Sequence, residues 1–361
     1  LETYKSFLIF SLLYSLIYSP TLSLTNSLAF HHLPDRDRDF GKIRVWGTIG
    51  WIVVGIGIGQ WLLHQHTPTG VEAEAVSAAQ AAGMADAFKL SGLLGIVMGI
   101  FCFFLPSTPP AKEEKKSAIG GALDAIRLQP LLTLFLIAVP ISCVHQFYFV
   151  HTAPFLGQFQ NQAEGFIDIV NKIVGVGGGG LMTIGQMAEI GVLAMIPLFT
   201  KKYSRKALLC VGISAYALRM FLFAYSPGFP EAAQLPAIIL GIAMHGLCFG
   251  CFIFVAFMVV DEECATDVRA SAQSLFNLVI VGIGIIVGSK VAGYVAEIST
   301  VNEVMNYQKL FSVPMWAALA CLVIMQLCYP NKPPATAADG PSDKDADLDI
   351  DSDTTSNNGD E

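Results

Sequence analysis

The chain contains little charge for its size. Only 14% of its 361 residues are Asp, Glu, Lys or Arg, whereas 53% are hydrophobic and the mean hydropathy is +0.57. Soluble domains carry about 25% charged residues, so a surface this poor in charge must face lipid. The net charge of −8 says little about partners, because much of the acidic excess lies in residues 331–361.

Several signatures of chemistry are also missing from the sequence. The eight cysteines are scattered, mostly through apolar stretches, and their spacing fits neither a metal site nor a disulfide framework, so they are interpreted as buried thiols. There is no nucleophile motif, phosphate-binding loop or dinucleotide fingerprint. These absences argue against an ATP-driven pump and an integral-membrane enzyme, and no cofactor is expected.

Long apolar runs dominate what is present. A helix needs about 20 apolar residues to cross ~30 Å of hydrocarbon. Nine runs qualify, and they predict an all-α, polytopic membrane protein. Their approximate ranges are 6–30, 43–63, 88–106, 130–155, 175–200, 206–225, 233–260, 270–295 and 309–329. The glycine-rich run 175–180 favours a closely packed helix start, with an unwound stretch as the alternative.

The basic residues alternate between connections. Lys and Arg occur in the first, third and fifth connections, whereas the second (64–87) and sixth (226–232) contain none. By the positive-inside rule the odd-numbered connections are cytoplasmic. Nine spans then start outside and end inside, so we expect a multi-pass protein of the cell inner membrane with a cytoplasmic C-terminus.

The long polar connection at 107–129 divides the runs into three before it and six after it. If the protein has two equal six-helix halves, about three helices precede Leu1, and the 361 residues alone are not expected to transport. We therefore expect residues 1–106 to be the remainder of an N-terminal bundle, 107–129 a cytoplasmic loop, and 130–329 a six-helix C-terminal bundle.

Residues 330–361 are rich in Pro, Ala, Asp and Ser, and predict a disordered acidic tail. The alternate Asp residues superficially resemble a calcium-binding loop. However, Ile350 stands where such a loop needs its turn glycine, so a solvated tail is preferred.

Glu189 is the only carboxylate well inside any of the apolar runs, and Gln186 lies one helical turn before it. An ionised carboxylate in hydrocarbon costs several kcal/mol or more, so it normally faces water or a partner. Glu189 is therefore a candidate for binding a ligand or carrying a proton. The alternative is a carboxylate that is hydrogen-bonded within the bundle for packing specificity.

Helical spacing groups further polar residues. Arg44, Thr48 and Trp51 fall on one face at i, i+4 and i+7, which suggests a ligand-lining role, although Arg44 alone could snorkel to lipid phosphate. His245 and Phe249 share a face at i, i+4. A lone His in an apolar helix is more often a packing residue than a ligand.

The remaining polar groups carry weaker signals. Gln146, Tyr148 and His151 form a polar and aromatic mixture in the fourth run that is unusual for lipid contact. Arg219 lies within an apolar run but close to its end, so snorkelling is the simpler expectation. The charged residues at 261–269 form either a latch between helices or a solvated loop.

Three segments resemble the nucleoside:proton symporters of the major facilitator superfamily. They are residues 19–26 (SPTLSLTN), 42–51 (KIRVWGTIGW) and 268–273 (VRASAQ), and the similarity in spacing extends from residue 5 to about 329. The resemblance implies twelve helices in two six-helix bundles around a central cavity with alternating access. Nine of those twelve are expected here, and the first run corresponds to the family's fourth helix.

The resemblance also implies a set of substrate-contacting positions, with Gln146 placed by a looser match. These positions are Arg44, Thr48, Trp51, Gln146, Gln186, Glu189, His245 and Phe249. Two positions depart from the family pattern, because Gly250 replaces an acidic residue found in some members and His245 replaces an aromatic hydroxyl. Glu189 is left as the main proton-coupling candidate.

The expected function is import of nucleosides by proton symport. The expected partners are a nucleoside, protons and the lipid bilayer, with no nucleic acid and a monomeric state. Two alternatives stay open: a facilitator for another polar metabolite such as a sugar or nucleobase, and a transporter-like membrane sensor that signals through its acidic tail.

Overall fold

The computed structural model describes residues 3–32, 36–107, 119–161, 165–265 and 268–331. These parts of the chain are helical apart from short connections and a minimal antiparallel hairpin of β1 (Thr300–Val301) and β2 (Val304–Met305). The helices are α1 Tyr4–His32, α2 Arg36–Gln65, α3 Ala73–Gly83, α4 Ala85–Cys102, α5 Ile119–Ile126, α6 Leu131–Asn161, α7 Phe166–Val174, α8 Gly179–Lys202, α9 Arg205–Tyr225, α10 Glu231–Leu247, α11 Val255–Glu263, α12 Arg269–Asn277, α13 Gly284–Ser299 and α14 Tyr307–Cys328.

Two membrane-length helices each contain a wider π-helical segment. Cys248–Phe254 joins α10 to α11, and Leu278–Ile283 joins α12 to α13. A π segment disturbs the regular backbone ladder, and in lipid the disturbed groups need another partner. One such carbonyl, that of Ile280, accepts a hydrogen bond from Ser142 Oγ at 2.6 Å.

Within the described parts of the chain, eight helical stretches are long and apolar enough to cross a membrane, judged by length and composition. They correspond to the second through ninth predicted runs, and α1 occupies the first, with Tyr4–Tyr18 as a shorter apolar segment. The expectation of an all-α, multi-pass membrane protein is therefore confirmed. The eight stretches are Val45–Gln65, Ala73–Cys102, Leu131–Gln160, Gly179–Lys202, Arg205–Gly228, Glu231–Glu263, Ser271–Ser299 and Tyr307–Cys328.

The polar connection predicted at 64–87 is instead mostly helical, since α3 and the start of α4 lie within it. Its alanine-rich sequence has high helix propensity, and this outweighs its lack of a long apolar run. Asp86, at the start of α4, stabilises the connection back to α2. Its Oδ2 accepts a hydrogen bond from Trp61 Nε1 at 3.0 Å and lies 3.1 Å from His66 Nε2. The polar connection at 107–129 likewise contains α5.

Two of the expected segments lie partly outside the described residues. Residues 108–118 of the predicted cytoplasmic loop and residues 332–361 of the predicted acidic tail belong to this group. The disordered-tail interpretation and the boundaries of the two bundles therefore stay predictions.

The buried core lies in the helices that follow residue 130. Its side chains come mainly from α6, α9, α11 and α14. Small residues allow these helices to approach closely, which matters in lipid because an apolar solvent supplies no hydrophobic driving force between helices. In contrast, α1 and α4 present mainly exposed apolar side chains, as expected of helices that face lipid.

Charged residues join the ends of helices where α9 begins. Arg205 pairs with Glu262 at the end of α11, with Nη2 and Oε1 2.6 Å apart, and Asp261 accepts from Gln273 Nε2 at 2.8 Å. The charged segment is thus paired rather than merely solvated, although Asp267 lies outside the described residues. Beside this pair, the buried Lys206 Nζ donates to the carbonyl of Tyr329 at 2.7 Å just beyond the end of α14.

The glycine-rich run 175–180 combines an unwound stretch with close packing. Gly175, Gly177 and Gly178 have φ angles of +79°, +81° and +79°, so regular helix begins only at Gly179. Positive φ angles favour glycine because it has no Cβ. The preferred interpretation, a closely packed helix start, therefore holds from Gly179 onward, whereas the unwound alternative holds for residues 175–178.

The amide side chain of Gln160 satisfies two polar backbone groups of this unwound stretch. Gln160 Nε2 donates to the Gly175 carbonyl at 2.8 Å, and Gln160 Oε1 accepts from the Gly178 N–H at 2.7 Å. Asn171 is bound by the same Gln160, whose Nε2 lies 2.9 Å from Asn171 Oδ1. Irregular backbone at membrane depth requires such internal partners.

The unwound stretch is also where α2 meets the later helices. The Val176 N–H donates to the Gly59 carbonyl at 3.1 Å, and a Cβ atom added at Gly59 would lie 2.6 Å from the Val174 carbonyl oxygen. Further along α2, a Cβ at Gly55 would lie 2.9 Å from Thr183 Cγ2. We call these contacts of Gly55 and Gly59 with α8 and the stretch before it the glycine seam.

We predict that Gly59→Ala lowers the thermal stability of the protein in detergent. The added methyl group meets rigid backbone, and such overpacking costs about 1–3 kcal/mol. Gly57→Ala on the same helix is the matched control, because a Cβ there meets nothing within 4 Å. The control is expected to be neutral or stabilising, since Ala is the better helix former. Equal melting temperatures for the two variants would contradict the seam.

Candidate functional site

Gln186 and Glu189 share a buried face of α8. Their residues are only 5% and 7% exposed, so the carboxylate lies inside the helix bundle rather than at its lipid surface. His245, near the end of α10, is 2% exposed and faces Glu189, with His245 Nε2 3.5 Å from Glu189 Oε2. The structure thus brings together three of the predicted site residues.

Glycines set the close approach of α8 and α10. A Cβ atom at Gly246 would lie 2.5 Å from the carbonyl carbon of Ala188, and one at Gly185 would lie 3.0 Å from His245 Cβ. Only glycine lets the two backbones come this near. The distance between Glu189 and His245 therefore depends on residues that carry no functional group.

Arg219 is part of this site, contrary to the sequence-based expectation that it snorkels. It is 0% exposed and lies inside α9, where Nη1 donates to His245 Nδ1 at 3.2 Å. Its Cζ lies 4.2 Å from the ring centroid of Tyr148 and 5.0 Å from that of Tyr216. An imidazole and two aromatic faces give the cation internal partners, so it does not need to reach the membrane surface.

A second histidine completes the buried cluster. His145 on α6 stacks on His245 with their ring centroids 5.6 Å apart, and its Nδ1 lies 2.7 Å from Tyr216 Oη. Neither His145 nor Tyr216 was predicted from the sequence to be a site residue. Their helical spacing could have indicated them, because Tyr216 lies one turn before Arg219 and His145 lies one turn before Phe149.

Phe149 links the cluster to the face of α2 predicted to line the substrate site. Its ring makes edge-to-face contacts with His245 at 6.1 Å and with Trp51 at 6.4 Å between centroids. Trp51 is exposed, and Thr48 on the same helix is half-buried. Arg44 lies in α2, but its side chain is outside the described part of the structure.

Two other predicted positions lie at the margin of the cluster. Gln146 packs against α13, since a Cβ atom at Gly288 would lie 2.9 Å from Gln146 Cβ, whereas its neighbours His145 and Tyr148 face His245. Phe249 is half-buried against the core within the π-helical segment.

Gly250, where the sequence resemblance implied an acid in some family members, is closely packed here. A Cβ atom at Gly250 would lie 2.6 Å from Val192 Cγ1 on α8. Val192 thus occupies the space that a longer side chain at 250 would need. Glu189 is the carboxylate among the described residues that faces His245.

Several buried polar atoms around His245 make no hydrogen bond within the described structure: Tyr148 Oη, Gln186 Oε1, and Nε and Nη2 of Arg219. Leaving a buried donor or acceptor unsatisfied costs about 1–3 kcal/mol each, so native sites normally supply a partner. Gln186 Oε1 and Tyr148 Oη can therefore serve a polar ligand. Within the described residues, no group of three or more His, Cys, Asp and Glu side chains is placed to hold a metal ion.

Known proteins of similar sequence and structure are named as transporters or permeases. YegT of Escherichia coli is 31% identical over 303 residues, covering 82% of this chain and 64% of YegT. The xanthosine permease of E. coli is 29% identical over 314 residues, covering 84% and 69%. The chain thus spans about two thirds of the length of these relatives.

The fold matches solved structures of the nucleoside transporter NupG. A substituted form of NupG aligns with a TM-score of 0.66 and 25% identity, covering 86% of this chain and 73% of that chain. This agreement confirms the expected major facilitator architecture. Residues 2–333 match the family model described as nucleoside H+ symporter, and the chain belongs to this family.

Proposed function

We propose that the protein is a secondary active transporter that imports nucleosides by proton symport with alternating access. Family membership over residues 2–333 supports the class of substrate and the coupling ion. The observation that carries the proposal is a buried carboxylate, Glu189, next to His245 and the orphan oxygen of Gln186. This arrangement supports a proton-binding role for Glu189 beside a group that is able to bind a polar ligand.

The substrate is proposed to bind between aromatic and polar groups. Trp51 and Phe249 offer ring faces for a planar nucleobase, and Gln186 offers both a donor and an acceptor for base edges or ribose hydroxyls. Thr48 and Arg44 add hydrogen-bonding capacity from α2, and Gln146 is retained as the most peripheral contact. A site shared between α2 and the later helices suits alternating access, because relative movement of the two parts opens or closes it.

Glu189 is proposed to carry the coupled proton. Desolvation favours the neutral form of a carboxylate, and access to water favours the ionised form. A site that closes around a protonated Glu189 and reopens on the other side would therefore release the proton there. Since Gly250 replaces the acid found in some relatives, one carboxylate performs this exchange.

Its proposed location is the cell inner membrane, with the C-terminus in the cytoplasm and a monomer as the working unit. Residues 1–106 would contribute to one bundle and 130–329 would form the other. The protein has no proposed enzymatic activity, cofactor or nucleic acid partner. The second candidate function is a facilitator without proton coupling. Gly250 favours it, because it leaves this family member with fewer acids to bind a proton.

Coupling is tested by measuring uridine uptake in vesicles that contain the protein expressed from its complete gene. We expect an inward-directed proton gradient to drive accumulation, and Glu189→Gln to reduce it to the level seen without a gradient, because the amide cannot exchange a proton. Glu297→Gln, an identical change at an exposed position, is the control. Gradient-independent uptake by the wild type would favour the facilitator, and accumulation retained by Glu189→Gln would refute its role.

The packing of Gly250 gives a separate test. We expect Gly250→Ala to lower the melting temperature, because its methyl group meets the short, stiff side chain of Val192. Combining it with Val192→Ala should leave the double variant more stable than the sum of the single changes implies, since residues in contact couple by about 0.5–3 kcal/mol. Gly191→Ala, where a Cβ meets nothing within 4 Å, is the control. Additive single effects would show that Gly250 and Val192 are not in contact.

A further inference from the structure

Three polar side chains form a buried row across three helices. Arg219 on α9 lies 3.2 Å from His245 Nδ1, and on the other side of the same ring His245 Nε2 lies 3.5 Å from Glu189 Oε2. Arg219 and His245 are 0% and 2% exposed. The imidazole of His245 thus separates a buried cation from a buried carboxylate.

The chemistry of arginine restricts the state of His245. A guanidinium group has five N–H donors, no acceptor, and stays protonated in proteins. Its hydrogen bond to Nδ1 therefore requires Nδ1 to be the unprotonated acceptor. The single proton of a neutral imidazole must then be on Nε2, the nitrogen that faces Glu189.

Protonating His245 a second time is disfavoured at this position. It would place an Nδ1–H against the N–H of Arg219 and a second positive charge beside a buried cation, where low dielectric strengthens repulsion. Among the described residues, the titratable or charged groups placed around the pair of Arg219 and His245 are Glu189 on α8, Tyr216 on α9, His145 and Tyr148 on α6, and Cys248 just beyond α10.

Among these groups, Glu189 is the one that carries a negative charge when ionised near neutral pH. The phenol and thiol groups are neutral in that range. His145 Nδ1 and Tyr216 Oη lie 2.7 Å apart and share a hydrogen bond in which either group can donate. The row therefore contains one fixed cation, Arg219, and one group suited to exchange a proton, Glu189.

We propose that Arg219 is a positioning residue that holds His245 neutral with its proton on Nε2, so that His245 donates to Glu189 and Glu189 alone exchanges the transported proton. This inference rests on the proposed proton symport for its consequence, but the state of His245 can be measured without transport. For transport, the inference implies that the rate of uptake depends on pH as expected for a single titrating group.

The direct test is ¹⁵N NMR of the protein labelled at its seven histidines and solubilised in detergent. The His245 signals are assigned from their loss in His245→Gln. We expect wild-type His245 to show an Nε2–H tautomer from about pH 5 to 8, the range in which free histidine becomes charged. The exposed His64 supplies a reference ring.

Variants of Arg219 separate positioning from folding. In Arg219→Met, loss of the hydrogen bond and the charge should allow imidazolium to appear on His245 within the range of about pH 5 to 8. Arg219→Lys keeps a cation, so His245 should stay uncharged over the same range. Lys206→Met removes another buried cation from α9, far from His245 and bound to the carbonyls of Gln326 and Tyr329, and should leave the His245 signals unchanged.

The outcomes distinguish this inference from the proposed function. An Nδ1–H tautomer, an imidazolium in the wild type above about pH 5, or an unchanged His245 spectrum in Arg219→Met would overturn it. If Arg219→Met does not fold, the wild-type spectrum together with Arg219→Lys still decides. If the spectra are as expected but a proton gradient does not drive uridine uptake, the state of His245 is confirmed and proton symport is refuted. In vesicles, Arg219→Met should also change the pH dependence of uptake, whereas a purely structural role would lower only its rate.

Discussion

The pairing of buried charge constrains this structure more than any other interaction. Arg219 is fully buried and Glu189 nearly so, and in a bundle surrounded by lipid neither charge tolerates isolation. His245 lies between them and contacts both. Helices α8, α9 and α10 must therefore keep a common register, because sliding any one of them by a turn would leave a charge without its partner.

Helix α8 connects this site to the contact between the two parts of the chain. At its start, Thr183 and the unwound stretch before it pack against Gly55 and Gly59 of α2. About two turns later the same helix presents Glu189 to His245. The same helix thus contacts α2 at the glycine seam and presents the carboxylate. A movement of α2 at the seam would therefore displace α8 close to the proposed proton site.

Much of the site could be predicted because charge in an apolar run is conspicuous. Glu189, with Gln186 one turn before it, was recognised on that basis. Arg219 was equally visible but misinterpreted, because a long side chain near a helix end usually snorkels and no sequence pattern shows which helix it faces. His145 was missed for the opposite reason, since a neutral His among aromatic residues has no conspicuous cost. Gln146 shows the limit of linear spacing, because one step around α6 separates the His245 cluster from α13.

The sequence by itself determined the class of protein, the approximate spans and the residues too polar to face lipid. These follow from local quantities: the length of an apolar run needed to cross hydrocarbon, and the free-energy cost of a charge placed there. The tertiary structure alone decided which polar residues meet. Their partners lie on different helices, and the distances between those helices depend on glycines such as Gly185 and Gly246, whose role is visible only when the backbone opposite each one is known.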